Sequence, residues 1–155
     1  MKVTGQRQVC TFALDDLLFG VDVTSVREVI RCQPMTRVPL APREVRGLIN
    51  LRGQIVTAVD MRLRLELPAR PADREPMNVV VNAGDGAISL LVDEIGDVLQ
   101  LVERDAEATP ENLSPVIREL IEAVYKLNGR LLLLFDARRF CNIVSTPDSG
   151  TQPYA

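Results

Sequence analysis

Histidine is absent from all 155 residues, and so is tryptophan. Without an imidazole the chain cannot form a histidine-based triad or acid–base relay, and zinc and copper sites lose a ligand they commonly use. The cysteines Cys10, Cys32 and Cys141 are odd in number and widely spaced, so they do not form a disulfide framework. We expect each of them to pack as a small apolar residue.

Long apolar runs are also missing. The longest strongly apolar run, Leu131–Phe135, is far too short to cross a bilayer. The N-terminus carries Lys2 and Arg7 among polar residues and has no stretch that resembles a signal peptide. We therefore expect a cytoplasmic protein with no direct membrane insertion.

Motifs for catalysis are missing as well. The sequence has neither a glycine-rich phosphate-binding loop nor a nucleophile motif, so an enzyme is the least favoured class. The carboxylates Asp93, Glu94 and Asp97 lie close together, but no other type of ligand accompanies them. We interpret them as a solvated strand edge and turn, and we expect no cofactor or metal.

Aromatic side chains make up only 4% of the chain. A small-barrel nucleic-acid-binding protein is nevertheless a distant alternative, because six arginines recur over a short stretch: Arg37, Arg43, Arg46, Arg52, Arg62 and Arg64. Such proteins stack bases on aromatic rings, which are scarce here. A pI of about 5.1 also argues against a dominant phosphate-binding surface, so we expect no nucleic-acid partner.

The residues that are present suit one soluble domain. The chain is 46% hydrophobic with a mean hydropathy of +0.08, enough for a single core or for two very small subdomains that share one. Residues 1–74 hold 12 basic and 8 acidic residues, whereas residues 75–155 hold 6 basic and 13 acidic residues. The sign changes near a Pro-rich loop at 68–76, and a chain of this kind could meet different partners on different faces.

Short β-branched segments separated by glycine and proline predict a mainly β fold built from small barrels. The predicted strands are Val9–Leu14, Leu17–Val21, Leu48–Leu51, Ile55–Val59, Asn78–Asn82, Ala87–Val92, Val98–Val102 and Leu131–Leu134. Most of them are joined as hairpins, with Asn128-Gly129 as the turn signal before the last strand.

Helical spacing is found at a few places. A short helix is predicted over Val23–Arg31, because Val26, Val29 and Ile30 recur at i, i+3 and i+4, and Ser25 with Glu28 matches a capping box. Met61–Leu67 is predicted as a short helix or trailing strand, and Asp136–Cys141 as a closing helical turn. Val116–Leu127 is also apolar at helical spacing.

The step between the strands Leu48–Leu51 and Ile55–Val59 is the leading candidate for a functional site. Gly53 allows a positive φ there, so Arg52 is carried on a tight turn. Its planar guanidinium suits a partner's carboxylate or carbonyl groups. Nothing nearby looks like a nucleophile or metal ligand, so the site indicates docking, with Asn50 and Gly53 shaping the turn.

In order and spacing over about 125 positions, the chain resembles the CheW family, the coupling proteins that link bacterial chemoreceptors to a histidine kinase. The segments that carry the resemblance are residues 12–22, 26–29, 36–42, 47–62, 91–99 and 130–136.

The resemblance implies a fold and a function. The fold would be two five-stranded SH3-like β-barrels that share a core, in one domain over residues 8–145 with flexible termini at 1–7 and 146–155. It also implies that residues 120–127 are extended rather than helical, with 115–119 left open. The function would be a non-enzymatic adaptor between the cytoplasmic tip of chemoreceptors and the regulatory domain of a CheA-type kinase. A paralogous adaptor for surface motility or second-messenger synthesis is the alternative.

Site residues follow from the same resemblance. Receptor binding would involve Val26, Glu28, Arg52, Val79 and Val80, although from the sequence alone the three valines are expected in the core. Kinase binding would involve the loop residues Glu111, Asn112 and Leu113. An aromatic residue would be more familiar at Asn112, with Leu113 the nearest apolar substitute.

Overall fold

The computed structural model describes residues 6–84 and 86–145, and strands dominate it. The strands are β1 (Gln6–Leu14), β2 (Leu17–Asp22), β3 (Val26–Arg31), β4 (Val45–Leu51), β5 (Gln54–Asp60), β6 (Met77–Ala83), β7 (Gly86–Val92), β8 (Glu94–Val102), β9 (Ala106–Glu107), β10 (Ile121–Leu127) and β11 (Arg130–Phe135). The helices are α1 (Met61–Arg64), α2 (Pro115–Leu120) and α3 (Ala137–Ser145), and single 3-10 turns cover Val23–Ser25 and Glu103–Asp105.

The strands form two sheets. In the first, which we call subdomain 1, the order is β8-β1-β2-β11-β10-β9; in the second, subdomain 2, it is β3-β6-β7-β5-β4. The chain enters subdomain 2 between Asp22 and Val26 and returns to subdomain 1 between Val92 and Glu94. Subdomain 2 is therefore a continuous stretch of chain inserted between the two segments that form subdomain 1.

Both sheets curl towards closure. The two edge strands of subdomain 1, β8 and β9, are separated by only the 3-10 turn at residues 103–105, which spans about 14 Å at most. A flat six-stranded sheet would hold its edges about 24 Å apart, so this sheet must bend into a barrel. In subdomain 2, Thr36 follows edge strand β3 and exchanges two 2.8 Å backbone hydrogen bonds with Leu48 of edge strand β4. The predicted pair of small β subdomains is confirmed; subdomain 1 has a sixth strand because of the two-residue β9.

One hydrophobic core joins the subdomains. Phe12 stacks on Phe19 with ring centroids 5.6 Å apart, and Phe135 packs at 6.4 Å from Phe12 and 5.4 Å from Phe140. The same cluster contains residues of subdomain 2, which are Val59, Val79, Val81, Ile88, Leu90 and Val92. The shared core expected for this architecture is therefore present.

The helix predicted over Val23–Arg31 is wrong. Only Val23–Ser25 makes a 3-10 turn, and Val26–Arg31 is strand β3, so Ser25 and Glu28 do not form a capping box. The pairing of β3 with β6 runs Val26↔Val81 and then Glu28↔Val80, which leaves Arg27 as the extra residue of a β-bulge. The bulge puts Val26 and Val29 on one face although they are three residues apart, and this spacing imitates a helix.

Elsewhere the predicted elements are largely confirmed. Four hairpins are present: β1–β2, β4–β5, β6–β7 and β10–β11. Helix α1 occupies the start of the predicted segment Met61–Leu67, and α3 begins at Ala137. Residues 121–127 form strand β10, as the family resemblance implies, while the open segment before it is helix α2, which Ser114 caps by accepting a hydrogen bond from the Ile117 amide at 3.3 Å.

The N-terminal strand begins earlier than predicted, and the central loop lies inside one subdomain. Strand β1 begins at Gln6, inside the segment predicted as a flexible terminus, whereas residues 1–5 and 146–155 lie outside the described residues. The loop at 68–76 lies within subdomain 2, between α1 and β6, so the change of charge along the sequence does not mark the boundary between the subdomains. Among the described helices, none combines the length and the apolar character that a membrane span requires.

Candidate functional site

The β4–β5 connection is a two-residue turn. Leu51 pairs with Gln54, and the two central residues, Arg52 and Gly53, have φ values of 51° and 86°. Two positive φ values are typical of the type I′ turn, whose twist matches that of a β-hairpin. The side-chain oxygen of Asn50 accepts a hydrogen bond from the Gly53 amide at 2.9 Å and so holds the turn from within.

Arg52 extends from this turn to strand β3. Its Nη1 donates to Oε2 of Glu28 at 2.7 Å; the Arg52 side chain is 81% exposed and that of Glu28 only 17%. Among the described residues, one donor of the guanidinium is engaged, and the remaining donors of this exposed group are available for acceptors on another molecule. An exposed ion pair contributes little to stability, usually below about 1 kcal/mol.

A second arginine attaches β3 to the same turn. Arg27, the bulged residue, donates from Nη1 to Oε1 of Gln54 at 2.7 Å and from Nε to Oδ1 of Asn82 at 3.0 Å. The Arg27 and Glu28 side chains thus both reach the β4–β5 hairpin from adjacent positions. The bulge explains this arrangement, because it breaks the alternation that would send neighbouring side chains to opposite faces.

The valines expected near Arg52 have other surroundings. Val26 is half-buried against the shared core, and Val79 and Val80 are 1% and 0% exposed. Val80 pairs with Glu28 and Val79 with Val29 across β3 and β6. The core position expected for Val79 and Val80 from the sequence is confirmed, and a partner could touch neither side chain without displacing what covers it.

The expected kinase-binding residues belong to subdomain 1, whereas the β4–β5 hairpin belongs to subdomain 2. Glu111 and Asn112 are exposed in the loop between β9 and α2. Leu113 is half-buried against the shared core, and its amide donates to the Pro110 carbonyl at 3.4 Å. Leu113 therefore anchors the loop to the core and leaves only part of its side chain exposed.

A buried charged cluster was not anticipated from the sequence. Asp93, which was expected at a solvated edge, has a side chain only 6% exposed, and it accepts hydrogen bonds from Arg62 Nη2 at 2.6 Å and from Arg70 Nε at 3.1 Å. That interpretation of Asp93 is wrong because both arginines cover it from α1 and from the loop at 68–76, whereas Glu94 and Asp97 are exposed. Asp60 lies at the edge of this cluster, 3.9 Å from Arg70 and 3.8 Å from Arg46.

The cluster connects the two subdomains. Asp93 is the single residue between β7 of subdomain 2 and β8 of subdomain 1, and it also accepts a 2.7 Å hydrogen bond from the Asp15 amide in the β1–β2 turn. Burial raises the pKa of the Asp93 carboxyl. Two effects lower it by more: hydrogen bonds from Arg62 and from the Asp15 amide, and the positive charges of Arg62 and Arg70. The pKa of Asp93 therefore lies below its ordinary value of 3.8. Asp93 is therefore ionised near neutral pH.

Three of the six arginines that suggested a nucleic-acid surface pair with carboxylates of this protein. Arg62 is buried against Asp93, Arg46 faces Asp60, and Arg52 pairs with Glu28. The cysteines Cys10, Cys32 and Cys141 are free thiols, and burial raises the pKa of Cys141 to about 11, so that thiol stays protonated at neutral pH. The described part of the chain contains no group of three or more His, Cys, Asp or Glu residues placed to hold a metal ion.

Known proteins share this sequence pattern and this fold. The chain is 33% identical over 132 residues to the chemotaxis protein CheW of Rhizobium meliloti, covering 85% of each, and 31% identical over 134 residues to that of Bacillus subtilis, covering 86% of this chain and 85% of the relative. The crystal structure of the scaffolding protein TtCheW from Thermoanaerobacter tengcongensis superimposes with a TM-score of 0.76 at 23% identity, covering 85% of this chain and 90% of the other. The model of the CheW-like domain matches residues 8–144, and this chain belongs to that family.

Proposed function

We propose that this protein is a non-enzymatic cytoplasmic adaptor that couples chemoreceptors to a CheA-type histidine kinase. The observation that supports this most directly is the Arg52 turn within a CheW-like domain that spans most of the chain. An exposed guanidinium on a turn fixed by Asn50, Glu28 and Gly53 is suited to binding another protein, because little conformational entropy is lost when it docks.

An adaptor must bind two partners at once, and the fold offers separate surfaces for them. The Arg52 turn belongs to subdomain 2, whereas the loop with Glu111 and Asn112 belongs to subdomain 1. We assign the turn to the receptor tip and the loop to the regulatory domain of the kinase. Because the two sites lie on different sheets, neither partner needs to displace the other.

Calorimetry with the purified regulatory domain of the cognate kinase tests the proposal. A contact of small area should give a dissociation constant of about 1 μM, which corresponds to a binding free energy of about −8 kcal/mol. A second arm adds receptor tips and measures kinase activity, which should rise only when this protein is present. Absence of both heat and co-elution at about 100 μM protein, well above the expected constant, would be incompatible with the adaptor function.

A further inference from the structure

The turn end of the β4–β5 hairpin extends beyond the part of the sheet that holds its base. Strand β5 pairs with β7 over Thr57–Asp60, so residues 54–56, nearest the turn, pair only with β4 among the described strands. A two-stranded ribbon by itself is only marginally stable in water. The end of the hairpin that carries Arg52 therefore depends on side chains to hold it in place.

Arg27 on strand β3 makes such contacts. Besides its hydrogen bonds to Gln54 and Asn82, its Nη2 donates to the Gly86 carbonyl at 3.4 Å. The half-buried Gln54 side chain lies against the same glycine, since a Cβ on Gly86 would lie 3.9 Å from Nε2 of Gln54. One guanidinium thus joins the start of β5, the end of β6 and the start of β7.

The chemistry of this contact depends on the shape of the guanidinium. All three acceptors are neutral, and among the described residues Arg27 makes no ion pair. A planar guanidinium presents its donors in a rigid fork, so the three bonds fix the positions of the accepting segments relative to one another. A lysine ammonium is a point charge on a flexible stem and does not reproduce this fork.

Arg27 and its neighbour Glu28 hold different parts of the same turn. Glu28 binds the Arg52 guanidinium directly at 2.7 Å. Arg27 instead binds Gln54, the residue that pairs with Leu51 across the turn. The first contact sets the direction of the Arg52 side chain, and the second sets the position of the strand from which that side chain extends.

We propose that Arg27 is a positioning residue for Arg52. It holds the turn end of the β4–β5 hairpin against β6 and β7, so that Arg52 is presented to the receptor in one position. This inference rests on the proposed function, because it adds a residue to the receptor-binding role of the same turn. A turn that is already fixed loses less conformational entropy on docking, so Arg27 raises affinity without touching the receptor.

Backbone relaxation measured by NMR on the protein alone tests the positioning. In the wild type we expect order parameters of about 0.85 for the amides of Arg52 and Gly53, and in Arg27→Ala about 0.6 or lower. Gln54→Ala should have the same effect, and the double variant should add nothing further, because both substitutions remove the one contact that reaches the hairpin. Arg31→Ala is the matched control, since Arg31 is exposed at the other end of β3, and its turn should keep the wild-type order parameters.

Receptor-dependent kinase activation by the same variants tests the consequence. Arg27→Ala and Gln54→Ala should raise the receptor concentration for half-maximal activation about tenfold, while their affinity for the kinase regulatory domain stays within about twofold of the wild type. Arg27→Lys should resemble Arg27→Ala in both experiments, because it keeps the charge but loses the fork. Arg31→Ala should activate as the wild type does.

The two experiments together separate positioning from other roles of Arg27. An ordered turn in Arg27→Ala, or a mobile turn with unchanged activation, would overturn the proposal. Normal activation by Arg27→Lys would overturn it as well, since the charge of Arg27 would then act on the receptor directly. A wild type that does not activate the kinase would overturn the adaptor function and the role of Arg27 in coupling, whereas the order parameters would still show whether Arg27 holds the turn.

Discussion

At the scale of single residues, Arg52 and Glu28 share one ion pair but differ in exposure. Arg52 is 81% exposed, so its loss removes little from the folded state. We expect Arg52→Ala to change the free energy of unfolding by no more than about 0.5 kcal/mol and to weaken receptor-dependent kinase activation. Thermal melting and a coupling assay on the same protein separate the two effects. Early unfolding of the variant would instead make Arg52 structural.

Glu28 has a more demanding position, because its side chain is only 17% exposed. Glu28→Gln keeps the size and an acceptor oxygen but removes the charge that orients the guanidinium. We expect this variant to remain folded, with coupling reduced as in Arg52→Ala. The double variant should reduce receptor-dependent kinase activation no further than either single variant does, because both substitutions disable the same Arg52–Glu28 ion pair. Additive losses in the coupling assay would show that Glu28 and Arg52 bind a partner independently.

At the scale of elements, two glycines in the β4–β5 hairpin allow a matched comparison. A Cβ on Gly47 would lie 2.6 Å from the Thr36 carbonyl oxygen, which belongs to the bridge that closes subdomain 2. A Cβ on Gly53 would meet nothing within 4 Å, and only its φ of 86° opposes a side chain. We expect Gly53→Ala to cost about 1 kcal/mol and Gly47→Ala clearly more, because the backbone of the bridge must move.

Chemical denaturation of both glycine variants measures the difference. Equal costs would mean that the Thr36–Leu48 bridge contributes nothing to the closure of subdomain 2. Gly53→Ala also tests the Arg52 site. This variant keeps the Arg52 side chain but shifts the backbone of the turn, so we expect it to weaken receptor-dependent kinase activation.

Much of the β architecture could be predicted because hairpin signals are local. Asn128-Gly129 and Arg52-Gly53 fix turn types through φ, and the strands beside them are short and β-branched. Strand β3 was misread because its bulge at Arg27 depends on pairing with β6, which lies about 50 residues further along the chain.

The candidate site was only partly predictable for a related reason. Arg52 was accessible to sequence reasoning because its turn is local, but its contact with Glu28 joins β3 to the β4–β5 hairpin. The Asp93 cluster brings together α1, the loop at 68–76 and the β1–β2 turn, and no spacing within the sequence indicates that assembly. Burial of a carboxylate is decided by tertiary packing, which periodicity does not contain.

At the scale of the whole molecule, Asp93 adds a polar connection between the two subdomains to their shared hydrophobic core. Arg62 and Arg70 bind it from subdomain 2, and the Asp15 amide binds it from subdomain 1. Arg70 Nη2 is already buried without a hydrogen-bond partner among the described residues, and the other carboxylate near the two guanidinium groups, Asp60, lies 3.9 Å from Arg70. Removing that charge would leave two buried cations close together.

We therefore expect Asp93→Asn to lose about 3–5 kcal/mol of unfolding free energy at pH 7. The folded pKa of Asp93 lies below its ordinary value of 3.8, so its contribution is complete above that value and is lost as the pH falls through the lower, folded pKa. The difference in unfolding free energy between wild type and Asp93→Asn should thus be constant between about pH 5 and 7 and should narrow below about pH 4.

Urea denaturation of both proteins at each pH measures this difference. A difference that stays constant down to about pH 2.5, or one below about 1 kcal/mol at pH 7, would show that the carboxylate charge does not stabilise the connection between the subdomains. Asp97→Asn, at an exposed position four residues after Asp93, is the control. It should change the free energy of unfolding by no more than about 0.5 kcal/mol at every pH of the series.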